Sequence, residues 1–390
     1  MISLEEAYVI VTSDLPLTNC EQIDFNLANG RVLAEDIFSD MDMPPFDKSA
    51  VDGYACRRAD IGSPMQLLEV IAAGKIPSKK IVKACCSKIM TGAMLPEGAD
   101  CVVMVEQTIE MDSVVTVTDL KTKNNIASKA EDIKKGEKVL SKGTLIKPQH
   151  IAVLASVGAV LPLVYKKVRV CVFSTGDELV EPEIIPDLSQ IRNSNGSQLV
   201  SQAERMSVSV TYGGILPDDE EITSAKLVEA LKTHDVLVFS GGISMGDFDY
   251  IPRILDELGI KIMIRSIAVQ PGKPTVFGRS GDKFVFALPG NPVSSFNIFE
   301  ILAKPFLYRL MGCAWSPLKI KLPLADDFFR KGTARQGFVP AVITDEGSVK
   351  QLVYNGSAHI NALSAANALF EIPLGISSIQ KGELVDVRLI

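Results

Sequence analysis

Acidic residues follow several apolar segments of this chain and could bind a metal ion. The pairs are Asp177 with Glu178, Asp218 with Asp219, and Asp247 with Asp249. Each pair alone fits two interpretations. One is a magnesium site, because Mg²⁺ binds through one or two carboxylates; the other is a helix N-cap, which also favours negative charge. Three acidic loops that converge from strand ends are hard to explain by capping alone, so the pattern favours a binding crevice.

Turns rich in glycine and proline supply groups that an anion needs. Ser240-Gly241-Gly242 and Pro289-Gly290-Asn291-Pro292 offer backbone amides at predicted helix starts. Neither ends in Gly-Lys-Ser/Thr, as a P-loop requires. Lys273 stands between two prolines in Pro271-Gly272-Lys273-Pro274. This stiff frame favours a positioned contact with an oxyanion over a solvated surface lysine.

Two polar segments nearer the N-terminus are ambiguous. Residues 45–54 contain Asp47 and Asp52 between aromatic residues, and residues 91–100 begin with Thr91. Each segment could be an ordered turn whose side chains bond their own backbone, or part of a site. With three histidines in the chain, no spacing suggests a Ser-His-Asp or Cys-His arrangement.

Three short apolar runs must position these loops. They span about 168–173, 236–239 and 284–288, and each ends abruptly in Gly, Ser or Asp. Strands buried on both faces of a parallel sheet have this pattern. Ligands of open α/β sheets bind beyond the carboxyl ends of such strands, so the loops should meet in one crevice that binds a phosphate-bearing molecule.

Helical patterns alternate with these strands over about 150 residues, which predicts a doubly wound sheet. The predicted helices span about 196–206, about 219–232, 251–258 and a long segment from Asn291-Pro292 to Leu310. Ahead of this region, Ser3 and Glu6 predict a capping box for a first helix, and another helix is predicted from about Gln149 to Val157.

The whole pattern predicts a multi-domain α/β protein. A helical and mixed N-terminal domain comprises 1–44 and 141–166, and a β-rich domain, 45–140, is inserted into it. A doubly wound α/β domain covers 167–315. Residues 316–390 are predicted to form a small β-domain with one short helix near 361–367.

Composition is typical of a soluble cytoplasmic enzyme. The formal net charge is −7, from 40 basic and 47 acidic residues, which gives no global electrostatic case for nucleic-acid binding. The seven cysteines lack zinc spacing and suit a reducing compartment. Glu5 and Glu6 interrupt any signal peptide, and the longest apolar stretch, Ile151 to Tyr165, is too short to span a bilayer.

Taken together, these motifs resemble the molybdopterin molybdenumtransferase family, which includes the MoeA proteins and the gephyrin E-domain. The resemblance covers nearly the whole chain and depends on the order of its motifs. They are PPFDKSAVDGYA (44–55), TGAMLPEGADCVVMVE (91–106), STGDEL (174–179), SNGSQL (194–199), SGGISMGDFDY (240–250), PGKP (271–274) and LPGNPVS (288–294).

The resemblance implies a reaction. Family members insert molybdenum from molybdate into adenylylated molybdopterin and release AMP, with Mg²⁺ required. They form an elongated homodimer whose active cleft combines the α/β domain of one subunit with the inserted domain of the other. The molybdopterin adenylyltransferase and acceptor molybdoenzymes would be protein partners, and no nucleic acid or membrane is involved.

The resemblance also assigns residues by matching motif. Asp177, Glu178, Asp218 and Asp249 would surround the metal ion and the pyrophosphate. Catalytic roles would fall to Asp249 and Asp218, with Asp52 and Thr91 contributed across the dimer. The groups that bind cofactor and oxyanion would be Ser174, Thr175, Gly176, Ser240, Gly241, Gly242, Lys273, Pro274, Pro289, Gly290, Asn291, Ser294, Arg335 and Ser357.

Some positions depart from the family pattern. Gln270 stands where a basic residue usually precedes PGKP, which removes one cation from the expected molybdate site. Residues 126–130 and the segments around Pro340 and Ala358-His359 also differ.

Other functions stay open at this point. One alternative is a non-catalytic scaffold or chaperone that binds molybdopterin or partner enzymes. Another is a magnesium-dependent phosphohydrolase, which would use the acids without needing Lys273 and Arg335 beside them. The sister adenylyltransferase reaction fits less well, because that enzyme is one α/β domain without flanking segments.

Overall fold

The central sheet of this computed structural model has six strands, and the structure describes residues 1–242, 251–353 and 356–390. Its strands are, in spatial order, Ser209–Leu216, Arg169–Thr175, Val236–Ser240, Lys283–Leu288, Val276–Ser280 and Lys261–Ile264. The first four are parallel, whereas Val276–Ser280 runs antiparallel to both of its neighbours. The predicted parallel strands are therefore confirmed, and further strands that no apolar run had indicated complete the sheet, of which Val276–Ser280 is antiparallel to the rest.

Both faces of this sheet are covered. In the Arg169–Thr175 strand, Val170 and Val172 pack into one apolar core, while Cys171 and Phe173 pack into another on the opposite face. The flanking helices are Ser194–Glu204, Glu220–Thr233, Ile251–Glu257 and the segment from Pro292 to Leu310. Because the central strands Arg169–Thr175, Val236–Ser240 and Lys283–Leu288 are buried on both sides, the sequence pattern correctly predicted a doubly wound domain.

The long helix is not uniform. It comprises Pro292–Ile298 and Lys304–Leu310 in α-helical geometry, joined by a π-helical segment, Phe299–Ala303. Pro305 cannot donate a backbone hydrogen bond, and a π-type turn just before it accommodates that loss. The predicted helix from Asn291-Pro292 to Leu310 is confirmed, but the sequence pattern did not indicate the π-helical segment within it.

Phe306 should be the most costly core truncation in this domain. Its ring lies 5.0 Å from those of Phe284 and Phe286 and 5.6 Å from that of Phe277, and its side chain is fully buried. We expect Phe306→Ala to lower the free energy of unfolding by about 3–5 kcal/mol, measured by chemical denaturation. Phe329→Ala, at a residue that is 68% exposed, is the control. Equal losses in the two variants would contradict the prediction.

The N-terminal region joins segments from both sides of the insertion. The Cys20–Gln22 strand pairs with Leu163–Tyr165, and Ile37–Phe38 pairs with Lys138–Leu140. The helices are Leu4–Thr12, Pro148–Ser156 and the short 3₁₀ helix Phe25–Leu27. The predicted capping box is present, since Ser3 Oγ accepts from the Glu6 amide and Glu6 accepts from the Ser3 amide.

The inserted region forms its own six-stranded sheet, as the many short apolar runs predicted. The strands, in spatial order, are Cys101–Met104, Gly53–Cys56, Cys85–Ile89, Met65–Ile71, Val114–Val117 and Thr108–Met111. Lys48–Ser49 pairs separately with Ile126–Ala127. Two 3₁₀ helices, Arg58–Asp60 and Val105–Gln107, complete this part.

The C-terminal sheet contains one strand from the central region. Its own strands are Lys319–Pro323, Gln336–Ile343, Val349–Gln351, Ala368–Ile372 and Leu384–Leu389, with Phe328–Phe329 paired to Ser378–Ile379 and a 3₁₀ helix at Ile360–Leu363. The strand Val269–Gln270 adds to the edge, parallel to Gln336–Ile343. This pairing brings Gln270 and the turn that follows it beside Arg335.

One pair of two-residue strands, Leu179–Val180 and Ile191–Arg192, forms a small separate parallel ladder. In the part of the chain that the structure describes, no helix is both long enough and apolar enough to cross a bilayer.

Candidate active site

The carboxyl ends of the central strands open into one cleft of about 720 Å³, which we call the strand-end cleft. Most of its lining residues come from loops that the sequence had singled out. They are Thr175, Gly176, Glu178, Asp218, Ser240, Gly241, Gly242, Pro274, Pro289, Gly290 and Asn291. Ser174 does not line the cleft; it is fully buried, and its hydroxyl donates to Asn193 Oδ1 at 2.8 Å.

Two glycines allow these loops to approach closely. Gly241 has φ +98°, and a Cβ there would lie 2.7 Å from Thr175 Oγ1. Gly176 has φ +136°, and a Cβ there would lie 2.2 Å from Glu178 Oε2. Only glycine fits both positions, so the Glu178 carboxylate folds back over the strand end and the Gly241 loop contacts the neighbouring strand.

The acids of the strand ends divide into two groups. Asp177 Oδ1 accepts from the Asp218 backbone amide at 3.0 Å, so these loops are in contact. Asp219, by contrast, is the N-cap of Glu220–Thr233, with Oδ1 accepting from the Ile222 amide at 2.9 Å. The capping interpretation therefore holds for Asp219. Glu178 and Asp218 line the cleft, and Asp177 does not line it but holds the Asp218 backbone.

A magnesium site fits this donor set. Across residues 1–242, 251–353 and 356–390, no three His, Cys, Asp or Glu side chains are grouped so that they could hold a metal ion by themselves. Mg²⁺ does not need such a cage, since it usually keeps several waters and is held by one or two carboxylates together with substrate phosphates. Asp249, the fourth predicted acid, lies outside the described residues.

A second pocket of about 320 Å³, the Lys273 pocket, adjoins the first. It is lined by Gln270, Pro271, Gly272, Lys273, Pro274, Pro289, Asn291, Ser294, Arg335, Gly356 and Ser357. Among the described residues that line this pocket there is no acidic residue, whereas there are a lysine, an arginine and two serines. The predicted oxyanion residues thus come together from the central and C-terminal regions, and their chemistry suits a tetrahedral anion.

The wall between the two pockets is shared. Pro274, Pro289 and Asn291 line both of them. Asn291 occupies the predicted N-cap position, but its side chain does not cap the helix; Nδ2 donates to Ser357 Oγ at 2.8 Å. The Val293 amide donates to the Ser357 carbonyl at 3.1 Å. The start of the long helix is therefore attached to the loop of the last region that also lines the Lys273 pocket.

Gln270 leaves the Lys273 pocket with two cationic side chains. We expect Gln270→Lys to raise the affinity for a tetrahedral dianion such as sulfate by about tenfold, because a charge-assisted hydrogen bond is about twice as strong as a neutral one. Isothermal titration calorimetry would measure the change. Gln380→Lys adds the same charge at an exposed position in the last region and is the control. An unchanged affinity in Gln270→Lys would contradict this view of the pocket.

Asp52 and Thr91 form a contact of their own in the inserted region. Asp52 Oδ1 accepts from the Thr91 backbone amide at 2.7 Å and from its hydroxyl at 2.8 Å. These bonds, chiefly the one from the backbone amide, lower the pKa of the Asp52 carboxyl. Neither residue lines the strand-end cleft of its own chain. Both residues are exposed, and the Asp52 carboxylate is held in its ionised form.

Several residues that line the strand-end cleft had no role predicted from the sequence. Asn193, Ser194 and Asn195 enter it at the start of the Ser194–Glu204 helix. The SNGSQL motif together with Asn193 just before it contained the signal, because two asparagines and two serines at a helix start exceed what one cap requires. Arg192 and Ile191 also line the cleft and were not predicted.

The chain is similar to known proteins along most of its length. Residues 2–158 match the description "MoeA N-terminal region (domain I and II)", residues 171–309 "Probable molybdopterin binding domain", and residues 321–390 "MoeA C-terminal region (domain IV)". The chain is 35% identical to the molybdopterin molybdenumtransferase of Staphylococcus epidermidis, covering 100% of this chain and 95% of that protein. The chain belongs to the MoeA family.

Two further proteins to which this chain is similar carry names of the same family. A molybdopterin molybdenumtransferase of Staphylococcus aureus is 35% identical, covering 92% of this chain and 88% of its own length. The crystal structure of a molybdopterin biosynthesis MoeA protein from Pyrococcus horikoshii OT3 has a TM-score of 0.86 at 29% identity, with 100% of both chains covered. The multi-domain architecture of this MoeA protein is therefore that of a solved relative.

Proposed function

We propose that this MoeA protein is a molybdopterin molybdenumtransferase, which inserts molybdenum from molybdate into adenylylated molybdopterin and releases AMP. The observation that carries the proposal is the shared wall of its two pockets. A large cleft with glycine amides and carboxylates suits the nucleotide and pterin ends of a phosphoanhydride. The adjoining Lys273 pocket, cationic and free of acids, suits molybdate.

The Lys273 pocket would hold molybdate beside the dithiolene. Lys273 and Arg335 supply two positive charges, and the Ser294 and Ser357 hydroxyls supply further donors. Because Pro274, Pro289 and Asn291 belong to both pockets, an oxyanion in one lies next to a substrate in the other. This arrangement supplies the proximity that insertion needs.

Asp177, Glu178 and Asp218 would hold Mg²⁺ together with the substrate's phosphate oxygens. When bound, Mg²⁺ would neutralise the charge of the phosphoanhydride and so favour its cleavage. The chain's own contribution is to fix the two loops, through the bond from the Asp218 amide to Asp177, and to orient the phosphates with the amide of Gly242. The Gly241 amide donates to the Leu288 carbonyl and so fixes the start of this loop. A water or a molybdate oxygen then attacks phosphorus, and AMP leaves.

We further propose that the active unit is a homodimer in the cytoplasm. Asp52 and Thr91 would enter the cleft of the opposite subunit, which accounts for an exposed aspartate that is ordered by a hydrogen-bonded threonine and does not line the cleft of its own chain. Seven unpaired cysteines suit a reducing compartment. The adenylyltransferase that supplies the substrate and the molybdoenzymes that accept the product would be its protein partners.

The test is AMP release from adenylylated molybdopterin with Mg²⁺, with and without molybdate, while molybdenum in the product is monitored. We expect release that depends on molybdate, with the metal in the cofactor. Tight binding without turnover would instead favour the scaffold. An AMP release rate that is the same with and without molybdate would identify a phosphohydrolase.

A further inference from the structure

The side chain of Asn195 is held in the wall of the strand-end cleft. Asn195 lines that cleft and is 9% exposed. Its Nδ2 donates to the Gly290 carbonyl and to Ser240 Oγ, each at 2.6 Å. Among the residues that the structure describes, its Oδ1 is buried and has no hydrogen-bond partner.

The orientation of this amide follows from its neighbours. The Gly290 carbonyl can only accept, so the amino end of Asn195 must face it. A flipped amide would place two carbonyl oxygens 2.6 Å apart. The oxygen that lacks a partner is therefore a true acceptor, and its position does not depend on an arbitrary choice between nitrogen and oxygen.

A buried acceptor without a donor is unfavourable until a ligand supplies one. Phosphate oxygens cannot do so at neutral pH, because they carry few protons and mainly accept. Nor can the carboxylates of Glu178 and Asp218, which line the same cleft. The missing partner is a group with an N–H bond or an O–H bond, and the heterocycles of a nucleotide and of a pterin carry the former.

We propose that Asn195 Oδ1 accepts a hydrogen bond from an amino group of the substrate's heterocycle and so selects an amino-substituted ring over its oxo analogue. This inference rests on the proposed function for the choice of rings, adenine or pterin. Both present an exocyclic amino group, and the experiment separates them. Asn195 would thus determine specificity, while its amino end holds the Ser240 and Gly290 loops together.

The experiment compares two ligand pairs by calorimetry or fluorescence titration on the full chain. AMP and inosine monophosphate differ by an amino and an oxo group on the purine; pterin and lumazine differ in the same way on the pteridine. We expect the wild-type protein to prefer the amino member of one pair by about tenfold, which is the effect of leaving one buried acceptor unpaired. The pair that shows the preference identifies the ring.

Two variants separate recognition from positioning. Asn195→Leu has the same shape without the acceptor, and we expect the preference to fall below about twofold. Asn195→Asp keeps the oxygen acceptor, but it adds a negative charge and places a second oxygen against the Gly290 carbonyl, so the overall affinity should fall while the preference persists in the folded variant. Circular dichroism and thermal melting confirm that each variant is folded.

Several results would overturn the proposal. They are equal affinity for both members of each pair, an undiminished preference in Asn195→Leu, or a lost preference in folded Asn195→Asp. If none of the four ligands binds, the proposal fails together with the assignment of the cleft to a nucleotide and a pterin. If the preference is found but AMP release ignores molybdate, only the proposed function fails.

Discussion

Replacing both Lys273 and Arg335 by alanine should abolish molybdate-dependent AMP release while the protein still binds AMP. The two cations line the Lys273 pocket, and no acid is found among its lining residues within 1–242, 251–353 and 356–390, so their loss removes the pocket's positive side chains. A hydrogen bond to a charged group contributes roughly 1.5–3 kcal/mol, so each loss should cost about tenfold to a hundredfold in molybdate affinity. Molybdate titration and AMP release measure the two effects.

AMP binding in the strand-end cleft shows whether the double variant keeps its other site. Its lining does not include Lys273 or Arg335, so the affinity for AMP should be nearly unchanged. Lys321→Ala is a matched control, because its ammonium lies in the same C-terminal sheet, 3.6 Å from Asp386, on an exposed side chain. If the double variant inserts molybdenum at the wild-type rate, the oxyanion site lies elsewhere.

Asp177→Asn should lower AMP release by about a hundredfold at a fixed Mg²⁺ concentration, because one charge of the metal site is lost. Asparagine has the same shape and keeps a carbonyl oxygen that can accept from the Asp218 amide, so the loop should retain its conformation. The Mg²⁺ concentration that gives half of the maximal rate of AMP release should be higher in the variant than in the wild type.

Asp219→Asn makes the same chemical change one residue from Asp218 and serves as the control. Asp219 caps the Glu220–Thr233 helix, and asparagine caps helices about as well as aspartate. Its AMP release and Mg²⁺ requirement should match those of the wild type. The metal assignment would be lost if Asp177→Asn behaved in the same way as Asp219→Asn.

The parallel strands could be predicted because burial on both faces leaves an uninterrupted apolar run. Val236–Ser240 and Lys283–Leu288 carry no polar residue before their ends except Lys283, so no other assignment competes. The glycine- and proline-rich segments that follow these strands then indicated which loops would meet at the carboxyl edge of the sheet. The grouping of Lys273 with Arg335 came from the resemblance of motifs, since the two are far apart in sequence and no local pattern joins them.

Other features depended on tertiary contacts that no local pattern reports. Val269–Gln270 is only two residues long, too short for a periodic signal, and becomes a strand because Gln336–Ile343 accepts it. Asn195 looks like one more capping residue until Gly290 and Ser240 are placed beside its amino group. Asp249 lies outside the described residues, so its catalytic role stays a prediction.

The edge strand that the central region contributes to the C-terminal sheet bears on how the protein unfolds. When the last sheet comes apart, Val269–Gln270 loses the partner that holds it, and the Lys273 turn that follows loses its support. The two regions should therefore melt together in one cooperative calorimetric transition. Molybdate-dependent activity and AMP binding should then be lost over the same range of temperature, although the two sites are lined by different regions of the chain.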